Sequence, residues 1–530
     1  MSYASFVYLG VFLTVSFAAY SLLPLRRRWL VLLVGSCLFS VLNSGWLFFS
    51  LLGTAAVTWY AGICLNRIED KLTASSENAE PEEKARLHAA AQKKKRGVIR
   101  VALLITFGLL VFFKYYNFLG HSLDKLLTLT GLPPLFPFLG KLRLPIGISF
   151  YTLMAASYIL DVYRGKYRAS GSFPKVLLFL SFFPEIIEGP IGRFDRLSDQ
   201  LTEGHPYDGR RCAFAVQLIL WGMLKKLVIA DRANALVCEV FSNHGQYAGL
   251  TVVLAAALYT LQIYADFSGM IDVSRGSAEL FGITLDQNFQ RPFFSHTVGE
   301  FWRRWHITLG AWLRDYIFFP ASLSKRSISL RRWSQQHLRP FLANLLPLSR
   351  ALLFVWATNG IWHGAGFKYI AYGLYYFAIT MLGLLFEPLN ARICGKLGID
   401  RKSRGFRGFQ LGRTLVLVCV GMMIFRADTL RDFAAMFTSI FSGAGLAPFM
   451  SGAIFTHGFD RHDLLVTALS AMLLVIVGML QERGHSLREE LSQKSLPVRW
   501  SVYFAMILTV VIFGAYGTGY QALDPIYGGF

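Results

Sequence analysis

Long apolar runs, separated by short basic or glycine- and proline-containing segments, constrain this chain more than any other feature of it. Crossing a bilayer as a helix takes roughly 20 predominantly apolar residues. Such stretches recur from end to end: Tyr3 to Leu23, Val101 to Phe113 with its flanks, Leu415 to Phe425 with its flanks, and Leu464 to Leu480. Only 16% of the 530 residues are charged and 54% are hydrophobic, against about a quarter charged in a soluble protein. Backbone in hydrocarbon must satisfy its own N–H and C=O groups, and re-entrant backbone survives there only where protein or a watery cavity shields it. The expectation is therefore an all-α polytopic membrane protein with about 11 to 14 transmembrane and re-entrant segments.

The net charge of +21 does not point to nucleic acid, because no basic domain with interleaved surface aromatics accompanies it. Lys and Arg in short loops instead set membrane orientation. The first helix ends at Arg26-Arg27-Arg28, two spans fit between Trp29 and Leu65, and the polar stretch 66–97 closes on Lys93-Lys94-Lys95-Arg96. A span from Val98 to Phe118 leads to a loop at 120–141, and another returns to the basic Arg164–Arg168. Counting spans puts all three basic segments on one side, expected to be cytoplasmic, with the N-terminus extracytoplasmic. The N-terminal run lacks a basic n-region and a small-residue cleavage site, so it reads as a retained helix rather than a signal peptide. The six cysteines show no CxxC or paired spacing and read as small apolar side chains.

Three regions follow along the chain: plain spans with the basic cytoplasmic loop over 1–142, a chemistry-bearing core over 143–377, and plain spans again over 378–530, closing on the tail 517–530. The polar stretch 66–97 is too short for a core of its own and reads as a helical or mobile cytoplasmic loop. No internal repeat is visible.

Ionisable groups in or beside membrane helices are costly and usually face a cavity or a partner. Four stretches of the core concentrate them: "FFPEIIEGPIGRFDRL" from Phe182, "LQIYADFSGMIDVSRG" from Leu261, "NFQRPFFSHTVGEFWRRWHITLGAWLRDYIFFP" from Asn288, and "NGIWHG" from Asn359. Several of these residues carry a bland reading beside the functional one. Glu185 and Glu188 fit pairing with arginines, Asp266 fits neutralising a buried arginine, and Arg303 and Arg304 fit anchors. Trp302, Trp305 and Trp312 fit an interfacial belt. Of the eleven histidines, most lie in polar or loop-like contexts and His296 is undecided. His306 and His363 stand apart, set among aromatics and glycines. Gly360 and Gly364 close to His363 allow a backbone break or the close approach of a substrate. Neither histidine has a second ligand at helical spacing, and there is no HExxH, so a metal site is not expected. The nucleophile elbow GxSxG, the phosphate loop and the dinucleotide fingerprint are also missing. What remains for a histidine here is proton transfer: imidazole titrates near neutrality and takes a hydroxyl proton as that oxygen attacks an acyl carbon.

The four stretches, with "YTLQIYADFSGMIDVSRGSAELFGI" from Tyr259 and "NGIWHGAGFKYIAYGLYY" from Asn359 as the fuller motifs, resemble the membrane-bound O-acyltransferase (MBOAT) family. The likeness is greatest to its bacterial alginate O-acetylation branch, with teichoic acid D-alanyl transfer as a near relative. The resemblance spans Leu144 to Phe377 closely. It implies a ring of helices around a central funnel or tunnel in a bacterial inner (plasma) membrane. It maps the family's catalytic histidine onto His363 and its second polar residue onto His306. Asn359, Trp305, Trp362, Gln262, Asp266 and Arg304 follow as supporting or substrate-binding residues. It implies an acyl thioester donor, acetyl-CoA, with no bound cofactor. The implied partners are a polysaccharide acceptor, membrane lipids and a separate SGNH-type extracytoplasmic transferase. Glu185 and Glu188 stand where that branch more usually has neutral residues, which leaves the acceptor polymer open. Two other readings stay beside this one: D-alanyl transfer to teichoic acid from a carrier-protein thioester, and a polysaccharide or lipid transporter using the same buried charges.

Overall fold

The computed structural model describes residues 2–140, 142–443, 451–455 and 459–516. The tail 517–530 lies outside these, as does His457, one of the histidines read above as loop-like. The described chain is helical throughout, and its one β-bridge pairs Phe289 with Trp305. Among the described residues, nine helices are long and apolar enough to cross a membrane, and two shorter apolar ones, Val7–Leu22 and Ile148–Tyr163, accompany them. Many turn apolar side chains outward. Leu104 is 74% exposed, and the span Leu496–Phe513 buries none of its residues. Water would not tolerate such faces and lipid does.

The described chain divides into two compact units, residues 2–219 with Val273–Asp286, and Leu220–Asp272 with the described residues from Gln287 to 516. In the first, α1 (Val7–Leu22), α2 (Arg28–Ser44) and α3 (Phe48–Ser76) follow one another, the last two separated at Gly45, whose φ of 56° places it in left-handed space. Next come α4 (Pro81–Leu129), α5 (Ile148–Tyr163), α6 (Phe173–Ser181) and α7 (Phe194–Glu203). Several buried hydroxyls in these helices are satisfied by the helix itself. Ser40 donates to Ser36 O at 2.8 Å, Thr58 to Thr54 O at 2.7 Å and Thr106 to Ala102 O at 2.8 Å, the local way to place a hydroxyl in an apolar helix. The stretch 66–97 is no separate loop. α3 and α4 carry on through it as a helical hairpin whose turn is residues 77–80.

Pro184 and Gly189-Pro190 keep residues 182–193 out of a long helix, and Tyr3 anchors the segment. Its hydroxyl donates to Phe183 O at 2.6 Å and accepts from Ile187 N–H at 3.2 Å. Glu185 and Glu188 are buried here, but no arginine pairs with Glu185 among the described residues. Its carboxyl is packed so closely that a Cβ on Gly192 would sit 2.6 Å from Oε1. Burial, with Asp286 nearby, pushes the carboxyl well above the usual range, which favours its neutral form.

The second unit takes in the C-terminal part of α8 (Gly209–Ser242) and most of α9 (Leu250–Leu280). It continues through α10 (Val298–Arg304), α11 (Ile307–Leu313), α12 (Lys325–His337), α13 (Pro340–His363), α14 (Phe367–Lys396) and α15 (Arg404–Arg426). Two further spans, α16 (Arg461–Glu482) and α17 (Leu496–Phe513), complete it. Within α8, Leu224–Ala230 is π-helical, the kind of register shift found at sites where side chains must be re-aimed. Leu224, Val228 and Ala230 form a buried apolar cluster with Ala265 of α9.

Candidate active site

His306 occupies the break between α10 and α11 with φ at 47°, one of two non-glycine residues with positive φ among those described. A histidine in left-handed backbone is uncommon, and such strain gathers at functional sites. Asn288 holds it there. The Asn288 backbone carbonyl accepts Ile307 N–H at 3.0 Å, and Gln290 N–H reaches Arg304 O at 2.9 Å, so a two-rung ladder fixes the break. The Asn288 side-chain oxygen accepts Thr308 N–H at 3.0 Å and the Thr308 hydroxyl at 2.9 Å, and it lies 3.2 Å from His306 Nδ1. An oxygen that accepts those bonds is a carbonyl, so His306 Nδ1 carries the proton and Nε2 the lone pair. Burial lowers this imidazole to about 3, and the ring is neutral at any physiological pH.

His363 closes α13 and is buried. Its ring lies 5.1 Å from Trp362, 5.7 Å from Tyr372 and 5.3 Å from Phe425, all edge-on. Trp362 also meets His306 edge-on at 5.8 Å, and Phe267 of α9 covers His306 at 4.9 Å. The two histidines, placed far apart in sequence, thus pack on one indole. Asn359 sits one turn before His363, on the same face of α13. It is 5% exposed and its side-chain oxygen has no hydrogen-bond partner, so an acceptor stands available beside the histidine.

The glycines around His363 serve the helices rather than a substrate. A Cβ on Gly360 would meet Tyr369 O at 2.3 Å, one on Gly364 the Tyr369 ring at 2.2 Å, and one on Gly373 Trp356 O at 2.3 Å. They let α13 and α14 approach backbone to backbone, the use of small residues typical of membrane helix pairs.

Of the supporting residues expected from sequence, Trp305, Trp362 and Asn359 share this unit's aromatic interior with both histidines. Trp305 stacks on Phe301 at 5.3 Å and meets Phe289 at 5.0 Å. Trp305 and Trp312 are buried, and Trp302 packs on Tyr376 at 4.8 Å, so these tryptophans are packing groups and not an interfacial belt. The others have different partners. Gln262 donates to Asn234 at 3.0 Å. Asp266 pairs with Lys226 at 2.8 Å, not with an arginine, and Lys226 reaches Asp231 at 2.9 Å. Gln262 and Asp266 are four residues apart on α9, while Tyr264 and Phe267 occupy another face, meeting Trp305 at 6.1 Å and His306. One helix therefore joins a buried ion cluster to the histidine site. Arg304 pairs with Glu300 at 2.8 Å and Glu482 at 2.5 Å, and Arg291 joins Glu482 at 2.6 Å.

Asn288, Lys226 and Phe267 were missed in the sequence. Asn288 stands at the head of a motif whose purpose shows only when the chain folds back on it. Lys226, beside Lys225 in an apolar run, was a legible signal of a buried partner for Asp266.

A family model described as MBOAT, membrane-bound O-acyltransferase family, matches residues 102–396, a stretch holding both histidines and Asn288. The chain is 33% identical to a probable alginate O-acetylase of Pseudomonas aeruginosa, over 83% of this chain and 75% of that protein. It is 29% identical to a peptidoglycan O-acetyltransferase of Helicobacter pylori, over 53% of this chain and 54% of that one. A teichoic acid D-alanyltransferase of Bacillus subtilis is 27% identical over 47% of this chain and 60% of its own length.

Proposed function

The chain belongs to the membrane-bound O-acyltransferase family, and on that premise we propose that it passes acetyl groups from cytoplasmic acetyl-CoA across a bacterial inner membrane, for O-acetylation of an exported polysaccharide. His363 is the general base. The observation that carries this reading is the packing of two buried imidazoles on the indole of Trp362, inside the stretch that matches the family. The likeness to an alginate O-acetylase over most of both chains favours acetyl as the group moved and a polysaccharide as its destination.

The chemistry balances without a metal or a redox partner. An acceptor hydroxyl loses its proton to His363 as its oxygen bonds to the thioester carbonyl carbon. The C–S bond then breaks, and the departing thiolate takes that proton from the imidazolium. The acceptor is the polymer or the serine of an SGNH-type partner. Charge develops on the carbonyl oxygen during attack, and a donor aimed at it lowers the barrier. Asn359, one turn from His363, has an amide for that purpose. The surrounding aromatics exclude water that would hydrolyse the thioester. His306, neutral with its lone pair on Nε2, assists from the donor side.

His363→Ala tests the base. Polymer O-acetyl content should fall by about two to four orders of magnitude, while the protein still accumulates in the membrane. Wild-type acetylation by that variant would falsify the assignment. Supplying isolated membranes with acetyl-CoA or with a D-alanyl carrier-protein thioester identifies the donor, and labelling from the second alone replaces acetyl by D-alanyl. Failed polymer export with acyl transfer intact would indicate transport.

A further inference from the structure

The hairpin of α3 and α4 encloses a cavity of about 780 Å³ that the acyl-transfer reading does not use. Its walls are one face of each helix. On α3, Val57, Cys64 and Arg67 recur at near-helical intervals, and on α4 Lys94, Val101 and Ile105 do the same. Because the helices are antiparallel, the two cations come together at one end, and the rest of the groove is apolar. That end coincides with the limits of the polar stretch 66–97, where each helix passes from polar to membrane-type sequence. The cavity is therefore walled by apolar surface along its length, with the exposed side chains of Arg67 and Lys94 at the end nearest the edge of the apolar zone.

Nearby carboxylates are committed elsewhere. Glu69 pairs with Lys95, and Asp70 with Arg168 at 2.8 Å. Arg67 and Lys94 have no carboxylate partner among the described residues, and both are exposed. Gly97 lines the same groove, and a Cβ on it would meet nothing within 4 Å. A side chain there would occupy the groove rather than clash with the fold.

We propose that this groove binds one anionic glycerophospholipid, with its phosphate between Arg67 and Lys94 and an acyl chain along Cys64, Val101 and Ile105. Charge complementarity selects an anion, and basic pockets between membrane helices suit acidic headgroups.

The test uses full-length protein in detergent, stripped of lipid, with bound lipid read by native mass spectrometry. The probes are phosphatidylglycerol, phosphatidylcholine with the same chains, and glycerol 3-phosphate. Phosphatidylglycerol should be retained, and the Arg67→Ala/Lys94→Ala variant should bind it about 30-fold more weakly. That factor is about 2 kcal/mol, at about 1 kcal/mol per cation and 1.4 kcal/mol per tenfold. Gly97→Leu should exclude the chain with both charges intact, and it decides the matter if the double variant does not fold. Unchanged binding in both variants overturns the proposal. So does equal retention of phosphatidylcholine, or glycerol 3-phosphate binding as well as the whole lipid. A second copy of the chain cross-linked into the groove in place of lipid would overturn it too.

Discussion

Position 306 makes two separate demands on its side chain, one through the backbone and one through the proton. With φ at 47°, it accepts asparagine, whose short polar side chain tolerates left-handed backbone, and resists a β-branched residue. His306→Asn should fold with a monodisperse elution profile while losing acyl transfer by at least about tenfold, the scale of a proton-transfer or positioning contribution. His306→Val should lose folded protein. Equal folded yields of the two variants would show that the left-handed backbone does not discriminate. The proton makes the second demand. In the folded state the imidazole takes a proton only near pH 3, whereas unfolded it does so near 6.5. Between those values the unfolded chain binds more protons, so this group's contribution to stability is present above about 6.5 and is lost as pH falls towards 3. The slope is up to about 1.4 kcal/mol per pH unit. Melting temperatures measured from about pH 7 to pH 5 should fall less steeply in His306→Asn than in the parent, and parallel curves would mean that His306 titrates normally. Glu185 runs the other way. A neutral acid in the folded chain costs stability once the unfolded carboxyl ionises, so Glu185→Gln should leave the melting temperature at neutral pH unchanged or raised. A marked drop would show that the charge is used.

At the scale of the elements, His363 is aimed by the contact between α13 and α14. Ala at Gly360 or Gly373 would press a methyl group onto a backbone carbonyl at 2.3 Å. A carbonyl in a helix cannot swing aside, so the helices must part, at a cost of roughly 1–3 kcal/mol, and the Trp362–His363 packing moves with them. Both variants should lose activity and folded yield together. Gly383→Ala, on the same α14 but with nothing within 4 Å of its Cβ, should be neutral. Because alanine is the better helix former, loss in all three would mean that close packing at Gly360 and Gly373 is not what sets them apart. The same contact shows what sequence could and could not convey. Apolar length made the spans legible, because a membrane helix is specified locally by hydropathy. The motifs around His306 and His363 pointed to two stretches whose histidines fold onto one indole. Gly360 and Gly364 were read as a backbone break or room for a substrate; the break falls at Gly364, where α13 ends, but a glycine's sequence neighbours do not reveal that Tyr369 is what approaches both. Asp266 was expected to meet an arginine and meets Lys226, a pairing that depends on how α8 lies against α9. The Asn288 bond that sets the His306 tautomer likewise exists only after the chain has folded back through the Phe289–Trp305 bridge.

On the scale of the molecule, the direction of acyl transfer depends on which way the helices run through the membrane. Span counting put the basic segments 66–97 and 164–168 on one side, and contacts within the first unit support that placement. Arg168 pairs with Asp70 at 2.8 Å, Asn66 donates to Ala169 O at 3.1 Å, and Tyr163 reaches Gln92 at 3.2 Å. Segments joined by such bonds share an end of the helices, and clustered Lys and Arg there favour the cytoplasm. The structure carries α4 on to Leu129, so only residues 130–140 remain of the loop expected at 120–141; on this scheme they would lie outside, as would the N-terminus. Single cysteines at Glu80, in the hairpin turn, and Leu135, 73% exposed, would read this in a chain freed of its six native cysteines. A membrane-impermeant thiol reagent applied to intact spheroplasts should label Leu135→Cys at once and Glu80→Cys only after permeabilisation. The reverse pattern would invert the whole scheme and put the donor face of the enzyme away from the acetyl-CoA pool, leaving transfer to an exported polymer without a source of acyl groups.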